Sequence, residues 1–158
     1  MVTAWLPTLG RCKDIFVCDD QAAGDRFAQQ VLRLAAPPGK AVRVLSVAET
    51  IADFRQKSDD RRRVLLLLRG PKPVLTLLAG GVRIAHLNVG GIGSAPGRRL
   101  IRNSLSLSDA EIEAFREIME QGVRVELRMI PGEQSTDLAA LVGEVTTRAP
   151  RHEDTKKR

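Results

Sequence analysis

The chain has 158 residues, 43% hydrophobic and 28% charged, which is a globular balance for one domain with a real core. With aromatics at 3% and no Tyr, that core has to be built from Leu, Val, Ile and Ala, and two cysteines are too few for a disulfide framework. The net charge of +6 favours anionic partners, while no apolar run approaches the roughly 20 residues that span a bilayer. These features, with no leader-type segment, predict a soluble cytoplasmic protein.

The charge is unevenly placed. Residues 61–102 hold nine basic side chains and no Asp or Glu, whereas 103–147 hold three basic against nine acidic. The middle block points to a phosphorylated protein, a phosphate group or nucleic acid; a plain solvated basic face fits it equally well.

Taken in chain order, "MVTAWLPTLG" reads as a helix already under way, with no strand before it. "DIFVCDD" is a strand ending in two acids. "DRFAQQVLRLAAPPG" places Phe27, Val31 and Leu34 on one helical face and is stopped by Pro37-Pro38-Gly39. "AVRVLSV" is the next strand, and Ser46 with Glu49 makes a capping box for a short helix carrying Ile51 and Phe54. "RVLLLLRG", apolar without interruption, predicts a central strand buried on both faces. "PKPVLTLLAGG" is a helix opened by proline and closed by glycine. "VRIAHLNVGG" is a strand running into a glycine turn. "SDAEIEAFREIMEQG" is a helix capped by Ser108 and Glu111, with Ile112, Phe115, Ile118 and Met119 on its apolar face. "VRVELRMIP" is a last strand, "STDLAALVGEV" a terminal helix, and "APRHEDTKKR" a disordered tail.

Alternation of short apolar runs with amphipathic stretches predicts an α/β fold with an open, mainly parallel sheet flanked by helices on both faces. Such sheets take ligands beyond the carboxyl ends of their strands. Three loops there are candidates: Asp19-Asp20, Arg69-Gly70-Pro71, and Asn88 through Arg98 with Gly90 and Gly91. Glycine lets backbone N–H donors approach a bound group, and arginine adds charge-assisted hydrogen bonds. The glycine loop nearly spells a dinucleotide fingerprint but fails at its last position, and no phosphate-binding Gly-Lys-Ser/Thr occurs. A plain turn explains the glycine spacing as well. Cys12 and Cys18 match no zinc spacing and have no evident base, so no metal and no cofactor is expected. His152 lies in the tail, and His86 reads as a surface or half-buried strand residue.

Several stretches together resemble the IIB subunits of mannose/fructose/sorbose-type sugar phosphotransferase systems (PTS). They are "VTAW" at 2–5, "IFVCDDQAAGDRF" at 15–27, "LRLAAPPGKAVRVLSVAET" at 32–50, "VLLLLRGPKPVLTLLAGGV" at 64–82, "LNVGGIGSAPGRR" at 87–99, "SLSLSDAEIEAFREIMEQGV" at 104–123 and "MIPGEQ" at 129–134. The resemblance implies a IIB domain over 1–147, with 148–158 left as a basic tail. It implies a reaction in which a phosphorylated IIA passes its phosphoryl group to a histidine on IIB. IIB then hands it to a sugar of the mannose, fructose, sorbose or amino-sugar class entering through IIC and IID membrane subunits. The implied location is cytoplasmic, at the inner face of the membrane through those partners, with no membrane insertion of its own and no nucleic acid bound. Asp19, Arg69, Asn88, Gly90, Gly91 and Arg98 become the expected phosphate- and partner-binding residues.

One departure matters. The family's acceptor histidine lies in an Asp-Arg-Leu-x-His-Gly-Gln-type loop after a first strand, a few residues before the stretch matching "VTAW", and Met1 falls inside that gap. The first strand and the acceptor are therefore expected to be missing, and this chain to be inactive in phosphoryl transfer as written. A native protein that begins earlier is the favoured explanation, because losing a central strand leaves two buried edges unpaired. The alternative is a non-catalytic module that docks a IIA partner or a phosphate ligand through the same loops.

Overall fold

The computed structural model describes residues 12–56, 63–102 and 104–147. The helix expected over 1–10 and the tail expected over 148–158 lie outside the described residues.

Strand β1 (Asp14–Cys18) sits between β2 (Ala41–Leu45) and β3 (Val64–Leu68), parallel to both, with Asp14 opposite Ala41 on one side and Val64 on the other. Its central place explains its burial: Ile15, Phe16 and Cys18 are all buried. Helices α1 (Asp20–Gly24) and α2 (Arg26–Leu34) lead to β2, and α3 (Val47–Gln56) leads to β3. Helix α4 (Pro71–Ala79) follows β3 and leads to β4 (His86–Val89), which pairs in parallel with β7 (Arg124–Leu127). A short β8 (Thr136–Asp137) adds antiparallel to β7, and helix α6 (Leu138–Thr147) follows it. Between β4 and helix α5 (Asp109–Glu120), β5 (Arg99–Arg102) and β6 (Leu105–Leu107) form a separate antiparallel hairpin. The result is the expected α/β fold, mainly parallel and flanked by helices.

Two details differ from the expected pattern. The leucine run of β3 pairs with β1 alone among the described residues, and each of its five residues is partly exposed rather than fully buried. The strand expected over "VRIAHLNVGG" begins only at His86; Val82 to Ala85 form no strand, although Val82 is buried. β4, like β3, has one strand neighbour among the described residues, so the two strands joined by α4 are not paired with each other.

The core nevertheless bridges them. One apolar cluster centres on α4, α5, β7 and α6 (Val74, Phe115, Ile118, Val125, Leu138), and a second on Cys18, Leu77 and Val82. Leu68 of β3 and Ile84 before β4 pack against both clusters, and α4 contributes to each, Val74 to the first and Leu77 to the second, so this helix ties the two groups of strands together.

Helix ends follow the expected chemistry. Asp19 caps α1, its Oδ1 accepting from the N–H groups of Gln21 and Ala22, and Asp25 caps α2 in the same way. Both capping boxes are formed: Ser46 with Glu49, and Ser108 with Glu111. Helix α2 is the exception to inward packing. It rests on β2, yet Phe27 and Leu34 are 75% and 79% exposed and Val31 is 47% exposed. The partly covered side is instead Ala28, Gln29 and Leu32, so the apolar stripe read from the sequence is real but faces outward.

Candidate functional site

The carboxyl ends of the parallel strands bring the expected residues into two groups. In the first, Arg69 leaves β3 and its Nε lies 3.0 Å from Oδ2 of Asp19, which leaves β1. Arg69 Nη1 also donates to Gln21 Oε1 at 3.3 Å. Asp19 spends one oxygen on the α1 cap and the other on Arg69, so a single buried-edge carboxylate fixes both a helix start and a guanidinium. The Arg69 side chain remains 75% exposed, anchored on one side and open on the other. Next to it, Asp20 Oδ1 accepts from the Val47 N–H at 2.8 Å and ties the β2 exit to the β1 exit.

The second group lies on β4 and β7. Asn88 Nδ2 donates to the Arg128 carbonyl at 3.1 Å, and the Arg128 N–H donates to the Val89 carbonyl at 3.1 Å, locking the ends of the two strands together. Gly90 and Gly91 continue from β4. A Cβ on Gly91 would meet the Met129 methyl at 2.8 Å, so the bare backbone is what allows Met129 to close over the loop. Ile92 then bridges to Leu105 of the hairpin, and the Ser106 N–H donates to the Ile92 carbonyl at 2.8 Å. Gly97, with φ of +80°, turns the chain so that the Arg98 N–H reaches the Ala95 carbonyl.

Arg98 is placed differently from a free anion ligand. Its Nε and Nη2 donate to Oε2 and Oε1 of Glu111 at 3.0 and 2.7 Å, and its Nη1 donates to the Gly93 carbonyl at 3.1 Å. Those hydrogen bonds hold the Glu111 carboxyl below the usual carboxylate range, helped by its bonds to Ser108. Arg98 therefore pins the glycine loop to the start of α5. Two more arginines of the basic block are matched in this way: Arg99 pairs with Asp109 at 2.9 Å, as Arg69 does with Asp19. No hydrogen bond or ion pair among the described residues joins the Asp19–Arg69 group to the Asn88–Arg98 group.

His86 is half-exposed, as a strand residue of this kind is expected to be, and its Nε2 lies 3.1 Å from Glu126 Oε2. Glu126 also meets Arg124 at 2.7 Å and Arg128 at 3.5 Å. The hydrogen bond from His86 and the two arginines hold its carboxyl below the usual range. Neither Glu126 nor Arg128 was singled out by sequence reasoning. The signal is the alternation in "VRVELRM", which sets Arg124, Glu126 and Arg128 on one face of β7.

Cys12 and Cys18 are buried free thiols, and burial pushes the Cys18 thiol up. Among the described residues there is no cluster of His, Cys, Asp and Glu able to hold a metal, and no helix long and apolar enough to cross a membrane. An open depression lined by Leu78, Val82, Ile84 and Gln121 lies at the amino end of β4, away from the carboxyl-end loops.

With this geometry in view, comparison with known proteins decides the family. The model of the PTS system sorbose subfamily IIB component matches residues 1–153. The chain belongs to that family. It is 32% identical to the sorbose-specific EIIB component of Klebsiella pneumoniae over 144 residues, covering 91% of this chain and 87% of that one. It is 30% identical to the mannose-specific EIIAB component of Escherichia coli over 131 residues, which are 83% of this chain and 41% of that longer one. The crystal structure of the IIB domain of the Klebsiella pneumoniae sorbose permease superposes with a TM-score of 0.84 at 32% identity, covering 90% and 87% of the two chains. This is thus a IIB component of a sugar phosphotransferase system.

Proposed function

We propose that this IIB component takes a phosphoryl group from a IIA phosphohistidine and delivers it to an incoming sugar with the IIC and IID membrane subunits, working at the cytoplasmic face of the membrane. In the first step a neutral imidazole nitrogen bonds to phosphorus as the phosphorus–nitrogen bond to IIA breaks. In the second a sugar hydroxyl oxygen takes the phosphoryl group and the imidazole leaves. What the protein adds is placement and donors for the phosphoryl oxygens. Arg69, held by Asp19, supplies an open guanidinium. Asn88, Gly90 and Gly91 border the place proposed for the phosphoryl group, and Arg98 acts through the loop it pins.

The observation that carries this reading is the family match along residues 1–153, together with polar loops gathered at the carboxyl ends of β1, β3 and β4. Neither His86 nor His152 stands where the family has its acceptor, so these 158 residues by themselves are expected to dock IIA without accepting phosphate. We place the acceptor-bearing strand of the family between β3 and β4. Both have an unpaired side among the described residues and both are tied to α4.

The test is transfer of labelled phosphate from phosphorylated IIA. The chain extended at its N-terminus by the corresponding strand and loop of the Klebsiella pneumoniae relative should become labelled and the 158-residue chain should not. Label on His86 of the shorter chain would overturn the acceptor assignment. Binding of IIA with no transfer by either version would leave a docking module in place of a carrier.

A further inference from the structure

Arg128 is the odd member of the polar face shared by β4 and β7. Its backbone is fixed twice, to Val89 and Asn88, at the strand end where the glycine loop begins. Its side chain is 26% exposed, yet its guanidinium makes no hydrogen bond within the described residues, and Nε is buried without any partner. Among the described residues its ion-pair partner is Glu126, 3.5 Å from Nη2 and already taken at shorter range by Arg124 and His86. A guanidinium has five donors in a rigid fork and matches tetrahedral oxyanions two oxygens at a time. Buried polar groups without partners are rare in folded proteins and call for a physical reason.

We propose that Arg128 is an anion-binding residue of this site. Its side chain leaves its place beside Glu126 and closes on a phosphate-type oxyanion held over Gly90 and Gly91. Glu126 keeps its ion pair with Arg124 and its contact with His86 Nε2, so the move strands no carboxylate. Met129, which packs on Gly91, connects the end of β7 to the loop that would carry the anion. The proposal rests on the phosphoryl-transfer reading of this edge but is measured without transfer.

The experiment is a titration of the 158-residue chain with inorganic phosphate, followed by NMR on the Gly90 and Gly91 amides and the Arg128 Nε–H signal. Saturable shifts are expected, with affinity about tenfold weaker in Arg128→Gln and several-fold weaker in Arg128→Lys, which keeps charge and loses the fork. Arg99→Gln, whose partner Asp109 is on the exposed side of α5, should bind as the parent does. If Arg128→Gln does not fold, Arg128→Lys decides. Shifts that do not saturate, an affinity unchanged by either Arg128 variant, or equal weakening by Arg99→Gln would each overturn the proposal. Phosphate binding that depends on Arg128, in a protein whose extended version accepts no label, would keep this site and remove the carrier reading.

Discussion

Arg98 and Glu111 meet through two hydrogen bonds, Nε to Oε2 at 3.0 Å and Nη2 to Oε1 at 2.7 Å, and so join the glycine loop to the first turn of α5. Glu111 is at the same time the reciprocal partner in the Ser108 capping box. One carboxylate thus serves a helix start and a loop. Arg98→Ala should lower the thermal midpoint and speed amide exchange across 91–98, and in the N-terminally extended protein it should slow phosphoryl transfer. Arg98→Lys should recover little, because an ammonium cannot span both oxygens. Unchanged amide exchange in Arg98→Ala would show that the loop holds its shape without the clamp.

The same pair predicts how the protein responds to acid. The Glu111 carboxyl is held low chiefly by Arg98, Glu49 by the Ser46 backbone N–H, and Glu126 chiefly by His86. A carboxyl whose folded pKa lies below its unfolded value stabilises the fold above the unfolded value. That stability fades as pH falls from about 4.5 through the lowered folded value. Denaturant midpoints should therefore be flat near neutrality and fall on acidification below that point. In Glu111→Gln the fall should be shallower and the neutral-pH midpoint lower. An identical slope in the variant would mean that the pair contributes nothing to acid sensitivity.

Much of this was legible in the sequence because short-range chemistry decides it. Ser46-Glu49 and Ser108-Glu111 announce helix starts through atoms three residues apart, and Asp14 to Cys18 announces a strand by composition. The loop after β4 was legible as a candidate site for the same reason, since strand, glycines and arginines are contiguous. What Arg98 does there was not: Glu111 is thirteen residues on, and a free guanidinium and a clamped one look alike in a sequence. The 99–107 hairpin carries no two-residue glycine turn to mark it. The leucine run of β3 reads as a strand buried on both sides, and its partly exposed state depends on which strands lie beside it. Phe27, Val31 and Leu34 show the limit most plainly, because periodicity finds the stripe but not its direction.

That direction has a measurable consequence. Leu77 is fully buried in the second cluster, and Leu77→Ala should cost about 2–5 kcal/mol through lost burial and the cavity left behind. Leu34 is 79% exposed, so Leu34→Ser should stay within about 0.5 kcal/mol of the parent. Chemical denaturation of the two variants is sufficient. A loss at Leu34 comparable to that at Leu77 would mean that the α2 stripe is covered in solution.

Two glycines make a sharper pair, because neither has a positive φ and both would bring a new Cβ into contact. At Gly80 the Cβ would lie 2.5 Å from Cδ1 of Ile51, 2.7 Å from its Cγ1 and 3.0 Å from its Cγ2. Ile51 is β-branched and packs against the Cys18–Leu77–Val82 cluster, so it has few rotamers to retreat to. Gly80→Ala should therefore cost about 1–3 kcal/mol by overpacking. At Gly91 the nearest atom is the terminal methyl of Met129, which three rotatable bonds can swing aside, so Gly91→Ala should be close to neutral for stability. Its effect should appear elsewhere, as weaker phosphate binding once Met129 no longer closes on the loop. Pairing Gly80→Ala with Ile51→Ala separates crowding from any backbone requirement. If crowding is the cause, the double variant should be more stable than the sum of the two single losses predicts, because the shortened side chain opens the space that the new methyl needs. Strict additivity would place the cost of Gly80→Ala in the α4 terminus itself.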